Sequence, residues 1–277
     1  MARSIQERRS DFRALHARGC FVIPNPWDVG SARMLAGMGF KALATTSSGF
    51  AWSQGRPDSG VPRDVVLAHL RAMVTATDLP VNADFESGYA RDVAGVGESV
   101  RLAIDTGIAA LSIEDSTYDN KEPLRKIPDA VARIRAARAA IDESGSGVLL
   151  VGRAENYIVG RPDLEDTVAR LRAYSAAGAD CLYAPGIRTR EHIAAVVAAV
   201  APKPVNLLVG SPSELSVDDI AALGVRRISV GGALARAAWG GFMKAAKTIA
   251  EEGRFDGFVG AASGGELNEF FSNGNRG

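Results

Sequence analysis

Several short stretches of this 277-residue chain carry side chains able to do chemistry together, each directly after an apolar run. They are Asn25-Pro26-Trp27-Asp28, Thr46-Ser47-Ser48-Gly49-Phe50, Asn82-Ala83-Asp84-Phe85-Glu86, Ile113-Glu114-Asp115 and Arg153-Ala154-Glu155-Asn156. Asp84 and Glu114, with Asn82 and Glu86 beside them, offer the oxygen ligands a hard divalent cation takes. Mg²⁺ characteristically accepts one or two carboxylates and completes its shell with water and substrate oxygens, and Mn²⁺ suits the same donors. Arg153 can grip a carboxylate or phosphonate through two parallel N–H bonds while a metal polarises an adjacent carbonyl. Asn206, Ser229 and Tyr183 follow later apolar runs. The set points to a small anionic substrate handled beside a metal.

Side chains so far apart in sequence meet only if their apolar runs are strands of one sheet. A recurring phrase supports this: a helical pattern stops at glycine and an apolar run follows, as in Gly39-Phe-Lys-Ala-Leu-Ala, Gly107-Ile-Ala-Ala-Leu-Ser-Ile, Gly178-Ala-Asp-Cys-Leu-Tyr and Gly224-Val-Arg-Arg-Ile-Ser-Val. Glycine just beyond a helix adopts the left-handed conformation that closes the last turn without a Cβ clash. With the remaining apolar runs this predicts eight strands, Phe21–Pro24, Ala42–Thr46, Val81–Phe85, Ala110–Glu114, Val148–Gly152, Cys181–Ala184, Val205–Val209 and Arg227–Val230. The runs are continuous rather than alternating, as in parallel strands covered by helices.

Helical periods lie between them. In Pro128–Asp142, Val131, Ile134 and Ile141 share one face and Arg133, Arg135 and Arg138 fall elsewhere; Ser216 stands at capping-box spacing from Asp219. Strand then helix, eight times over, predicts an α/β fold, a (β/α)8 TIM barrel with extra N- and C-terminal helices, whose active site lies at the carboxyl ends of the strands. The rival is a doubly wound open sheet. The barrel is expected over residues 1–263 as a single domain, with 264–277 a glycine-rich, loosely ordered tail. The last long helix, about Ala233–Glu251, carries Leu234, Trp239, Phe242, Met243 and Ile249 around much of its circumference, which predicts a homo-oligomer interface, dimeric or tetrameric.

Composition narrows the partners. The 32 basic residues balance 32 acidic ones, and no basic stripe appears, against nucleic acid or an anionic membrane as partner. No apolar run approaches the roughly 20 residues that span a bilayer, and the polar, arginine-bearing N-terminus does not read as a secretory signal. Cys20 and Cys181 are too few for a disulfide framework. A cytoplasmic protein acting on small molecules is expected.

At this point the motifs resemble those of the isocitrate lyase / phosphoenolpyruvate mutase superfamily, over roughly Asn25 to Ala250. The strand-three pattern Asp-Ala-Asp followed by Gly-Tyr/Phe-Gly appears as Asn82-Ala83-Asp84-Phe85-Glu86-Ser87-Gly88-Tyr89, the Glu-Asp pair as Glu114-Asp115, and the Arg-x-Glu/Asp-Ala pattern as Arg153-Ala154-Glu155-Asn156. The Ser-Gly turn is Ser48-Gly49-Phe50 and the aspartate downstream of it Asp58. The resemblance implies a Mg²⁺-dependent enzyme that cleaves or forms C–C or P–C bonds beside the carbonyl of a small α-keto acid, through an enolate. It implies that Asp84 and Glu114 hold the metal largely through water, with Asn82 at the place of the first aspartate and Asp58 in support. Ser48, Gly49 and Phe50 would hold the substrate carboxylate, Arg153 its far end, and Asn206 and Tyr183 would line the substrate.

Departures from the pattern bear on the reaction. Asn82 removes one negative charge from the metal site, which weakens Mg²⁺ binding unless Glu86 replaces it. The loop after strand four, Ser116-Thr117-Tyr118-Asp119-Asn120-Lys121-Glu122-Pro123, lacks the catalytic cysteine of isocitrate-type lyases, against a 2-methylisocitrate-type cleavage. Asn120 and Lys121 stand there in a different order from the Lys-x-Asn-Ser of the mutases. The histidine or glutamate expected after strand six is absent from Tyr183-Ala184-Pro185-Gly186, and His16, His69 and His192 fall on helices. Proton transfer then falls to metal-bound water, Glu86, Glu155, Tyr183 or solvent linked to Asn120. Two alternatives are a non-catalytic keto-acid binder and a Schiff-base aldolase, the latter opposed by the placement of the six lysines away from strand ends.

Overall fold

The Gly178 joint shows how the sequence punctuates the fold. In the computed structural model, which describes residues 3–273, Gly178 has φ +106°, and a Cβ there would stand 2.6 Å from Arg138 Cγ. Only glycine closes helix α7 (Leu164–Ala176) and turns directly into strand β6 (Cys181–Tyr183). The other three glycine joints likewise end a helix and precede a strand.

The remaining strands are β1 (Phe21–Ile23), β2 (Leu43–Ala44), β3 (Val81–Asp84), β4 (Ala110–Glu114), β5 (Leu149–Arg153), β7 (Val205–Leu208) and β8 (Arg227–Ser229). All pairings are parallel and run in the order β1-β8-β7-β6-β5-β4-β3-β2. Ala44 N donates to Pro24 O at 3.0 Å and Asn25 Nδ2 to Thr45 O at 3.0 Å, which brings the first two strands together and closes the circle. The fold is the (β/α)8 barrel expected, and the open-sheet rival is excluded.

Alternate strand residues point inward and form layers. At the amino end an apolar plug of Ile23, Ala42, Ala44, Ala110 and Leu149 meets Phe12 of helix α1 (Ile5–Ala17). Arg8 and Arg9 of α1 donate to the carbonyls of Val74, Thr77, Ile104 and Ile108, fastening that helix beneath the barrel. The next layer is polar: Asn82, Ser112, Asn206 and Arg227 are all buried. Above it, at the carboxyl ends, stand Asp84, Glu114, Arg153 and Tyr183.

Helices α2 (Val29–Gly37), α4 (Arg63–Ala76), α5 (Val93–Ile104), α6 (Ile127–Ser144), α8 (Arg190–Val200) and α9 (Val217–Ala222) clothe the sheet, and α9 opens with the expected Ser216/Asp219 capping box. On α6, Ile134 and Ile141 are buried as expected, but so is Arg133, at 2% exposure. Its guanidinium donates to the carbonyls of Ser87, Ala90 and Arg91, so it leaves the outer face to hold down the loop after β3.

Helix α10 (Ala233–Glu252) buries Ala235 against the barrel and then leaves it: Trp239, Phe242 and Met243 are exposed. The tail departs from the loosely ordered segment expected. Residues Gly264–Asn273 form helix α11, because Ser263 and Glu266 cap its start reciprocally and Phe270 and Phe271 pack near Gly37 and Gly30 of α2. The last residues of that tail lie outside the described residues. No helix among the described residues is long and apolar enough to cross a membrane.

Candidate active site

Parallel register places the acids of two strands against the cation of a third. Glu114 and Arg153 are direct neighbours across β4 and β5, and Arg153 and Tyr183 across β5 and β6. Arg153 Nη1 lies 3.1 Å from Asp84 Oδ1 and 3.2 Å from Glu114 Oε2; Nε donates to Glu155 Oε1, and Nη2 to Glu155 Oε2 at 3.3 Å. The guanidinium also lies over the Tyr183 ring, 5.2 Å from its centroid. Three of the five guanidinium N–H groups are thereby hydrogen-bonded, one to Asp84 and two to Glu155, with Glu114 paired by charge. A two-bond grip on substrate through the Nε–Nη2 edge of Arg153 therefore requires Glu155 to release it.

Charge is uneven here. Burial and then the neighbouring carboxylates push the Glu114 carboxyl well up, against the pull of Arg153. Burial opposes charge on Arg153, yet Glu114, Glu155 and Asp84 outweigh it and hold the guanidinium firmly protonated. Burial also pushes Glu155 up, with Arg153 opposing, and Glu86 up to about 7, with Tyr89 opposing. Three carboxyl groups, those of Asp84, Glu114 and Glu155, thus contact one guanidinium, and the upward push on Glu114 and Glu155 marks a site whose crowding of acids a further cation would relieve.

The turn between β2 and helix α3 (Ser47–Ser53) locks Asp84 in place. Thr45 Oγ1 accepts from Asp84 N at 2.9 Å, and Ser47 N donates to Asp84 Oδ2 at 3.0 Å. Ser48 Oγ and Thr46 Oγ1 are 3.1 Å apart. The Gly49 N–H donates to Thr46 Oγ1 and the Phe50 N–H to Thr46 O, so both amides expected to hold a substrate carboxylate already serve the helix cap. Phe50 points its ring into the core, stacked 3.8 Å from His69. Ser48 and Asp58 instead line a chamber of about 660 Å³ at the carboxyl ends of β6 to β8. Desolvation and the Asp84 charge push the Asp58 carboxyl up.

Three expected site residues lie elsewhere. Asn82 sits one layer below Asp84, accepting from Arg227 Nη1 at 3.2 Å and donating to Ala83 O at 3.1 Å. Asn206 is fully buried in the same layer, accepting from Arg227 Nε at 2.8 Å and donating to Ser229 Oγ at 2.9 Å. Both are two residues before a top-layer position, and the pleat places them beneath it. Asn120 is exposed in the loop after β4, with no side-chain hydrogen bond among the described residues.

Sequence reasoning passed over two tyrosines. Tyr118 Oη donates to Glu114 Oε1 at 2.9 Å and accepts from Ser87 N at 3.0 Å, and Tyr89 Oη donates to Glu86 Oε1 at 2.8 Å. Glu86, Tyr89 and Tyr118 have φ of +47°, +48° and +61°. Non-glycine residues in that region cost about 1–3 kcal/mol each and persist where the surroundings over-determine them. Both tyrosines stand within the motifs quoted above, but their contact with the acids depends on loop conformation.

Among the described residues no three His, Cys, Asp or Glu side chains converge as a metal-ligand cluster. Asp84 and Glu114 nevertheless supply two carboxylates, the number Mg²⁺ takes when water completes its shell. The hard-oxygen donors suit that ion.

Residues 12–250 match the family model of phosphoenolpyruvate phosphomutase. The chain belongs to the phosphoenolpyruvate phosphomutase family. It is accordingly an enzyme of the lyase and mutase class. Oxaloacetate decarboxylase of Paraburkholderia xenovorans (strain LB400) is 31% identical over 230 residues, covering 80% of this chain and 74% of that one. The crystal structure of a lyase/mutase candidate from Burkholderia cenocepacia J2315 superposes with a TM-score of 0.94 at 48% identity, covering 97% and 98% of the two chains. Oxaloacetate acetylhydrolase in complex with the product oxalate superposes with a TM-score of 0.83 at 26% identity, covering 99% of each. Family membership supports the Schiff-base aldolase no further: Lys41, Lys121, Lys126, Lys244 and Lys247 are exposed, and Lys203 Nζ donates to the carbonyls of Ser175 and Ala179.

Proposed function

We propose that this enzyme cleaves the C–C bond beside the carbonyl of a small α-keto diacid of the oxaloacetate class, with Mg²⁺ as cofactor and Mn²⁺ as a substitute, in the cytoplasm. The observation that carries the proposal is the Arg153 guanidinium held between Asp84, Glu114 and Glu155 at the strand ends. Relatives named for oxaloacetate chemistry support this substrate class.

In such a reaction the bond to the departing carboxylate breaks, its electron pair moves toward the keto carbonyl, and an enolate and CO₂ result. Mg²⁺, when bound, supplies Lewis-acid charge beside the keto oxygen, and Asp84 and Glu114 would hold it. Arg153 places a permanent positive charge where the enolate develops, in a low-dielectric setting where it counts for more than in water. The Ser48 hydroxyl and the Asp58 loop border the chamber from which substrate enters. The enolate then takes one proton at carbon. Tyr118 Oη and the Glu86 carboxyl are the protic groups fixed against the acid cluster, and their partners Glu114, Ser87 and Tyr89 hold them in place.

Purified full-length protein incubated with oxaloacetate, phosphonopyruvate, phosphoenolpyruvate or 2-methylisocitrate, with Mg²⁺ or with EDTA, tests the proposal by following pyruvate. Turnover of oxaloacetate that EDTA abolishes is expected, together with loss of activity in Arg153→Ala and Asp84→Ala and a drop of about 10²-fold or more in Tyr118→Phe if its proton is used. Activity indifferent to EDTA overturns the metal assignment. Tight oxalate binding without turnover of any substrate makes the chain a keto-acid binder instead.

A further inference from the structure

The chamber beside Ser48 and Asp58 is larger than that reaction requires. Its volume of about 660 Å³ falls in the range of roughly 300–1,000 Å³ that holds drug-sized ligands, whereas oxaloacetate is a four-carbon acid. Much of the lining is apolar, including Ile187, Leu207, Leu208, Val209 and Val230.

Three arginines also line the chamber, and they differ in what they hold. Arg190 pairs with Asp219 at 2.8 Å, and Arg236 donates to the carbonyl of Gly210. Arg188 is exposed and has neither an ion pair nor a side-chain hydrogen bond among the described residues. Glu214, the acidic residue besides Asp58 in the lining, is exposed on the loop after β7. One chamber therefore combines a border at Ser48 and Asp58, an apolar wall, and a guanidinium with no ion pair or side-chain hydrogen bond among the described residues.

We infer that this chamber is a subsite for a second arm of the substrate, an aliphatic chain ending in a carboxylate that Arg188 binds. The inference rests on the keto-acid proposal above and narrows its substrate class to 2-oxo acids bearing an anion-tipped carbon chain. Apolar walls reward each buried methylene by roughly fourfold in affinity, and an unpartnered guanidinium supplies a charge-assisted bond at the end of the chain.

Isothermal titration of the full-length protein with Mg²⁺ tests this, using oxalate, a series from 2-oxoglutarate to 2-oxosuberate, and 2-oxooctanoate, which matches 2-oxosuberate in length but lacks the terminal carboxylate. Affinity should rise along the series, and 2-oxosuberate should exceed 2-oxooctanoate by about tenfold, the value of one charge-assisted hydrogen bond. Arg188→Ala should erase that difference and Ser211→Trp, which fills the chamber, should erase the dependence on length. Both should keep the oxalate affinity of the unaltered protein, which also shows them folded. Oxalate binding with no dependence on length, or an unchanged preference in Arg188→Ala, overturns the subsite and leaves the keto-acid proposal standing. Failure of the unaltered protein to bind oxalate overturns both.

Discussion

Arg153 and Arg227 occupy successive layers of one barrel with opposite surroundings. Arg153 faces carboxylates, while Arg227 is buried at 2% exposure among the amides of Asn82 and Asn206. The motif position held by Asn82 thus serves the lower guanidinium, and only the direction of its side chain reveals that. Buried histidines carry a residue-scale prediction. Burial, then the Arg227 charge, pushes His16 down to about 3, and burial pushes His69 down to about 4. Their unfolded values lie near 6.5, so below about that pH the unfolded chain takes up protons the folded one refuses, and stability falls as acidity rises. Urea midpoints should decline from pH 7 to pH 5, and His69→Phe, which keeps the stacking on Phe50, should decline less steeply. An equal slope in the variant would sink this account.

Helices and loops hold the strand ends through buried charge. Asp115, at 1% exposure, accepts from Glu155 N at 2.8 Å, from Arg170 Nη1 at 3.0 Å and from Tyr174 Oη at 2.5 Å, tying the end of β4 to α7 and to the residues after β5. Arg170 reaches on to the carbonyl of Arg125 and to Asp166, which in turn holds Asn156. Removing one partner of a buried ion pair typically costs about 3–5 kcal/mol, because the other charge is stranded. Asp115→Ala should lower unfolding free energy by that order and loosen the Arg153–Glu155 contact, read by denaturant titration together with activity. A loss below about 1 kcal/mol, the scale of an exposed pair, would show the network to be incidental.

At the scale of the molecule, net neutrality coexists with a divided surface. Acids gather at the ends of β3 to β5, whereas free guanidinium lies toward β6 to β8. Helix α10 and the turn after it present Phe242 at 62%, Phe255 at 66% and Val259 at 88% exposure. Trp239 meets Phe242 at 5.6 Å and Phe255 meets Phe258 at 6.4 Å between ring centroids; exposed apolar clusters mark interaction surfaces in soluble proteins, and we propose that a second copy covers these, giving a dimer or tetramer. Sedimentation velocity at micromolar concentration should show an oligomer, and Phe242→Asp with Met243→Asp should dissociate it. A monomeric unaltered protein would refute the proposed interface.

Strand positions, helix-stop glycines and the order of the polar motifs were legible in the chain because they depend on local rules. Apolar runs bury themselves, glycine alone tolerates the positive φ of the joint, and a strand's residues alternate sides wherever the strand lies. Those rules alone bring Asp84, Glu114 and Arg153 to one end of one barrel. They did not say that Arg153 would spend three N–H groups on carboxylates, that Asn82 and Asn206 would turn to Arg227, or that Tyr118 would reach Glu114. Such contacts join residues from different strands and loops, and each is set by which buried donor finds which acceptor once the barrel has closed. That choice is a property of the packed whole, and no local pattern encodes it.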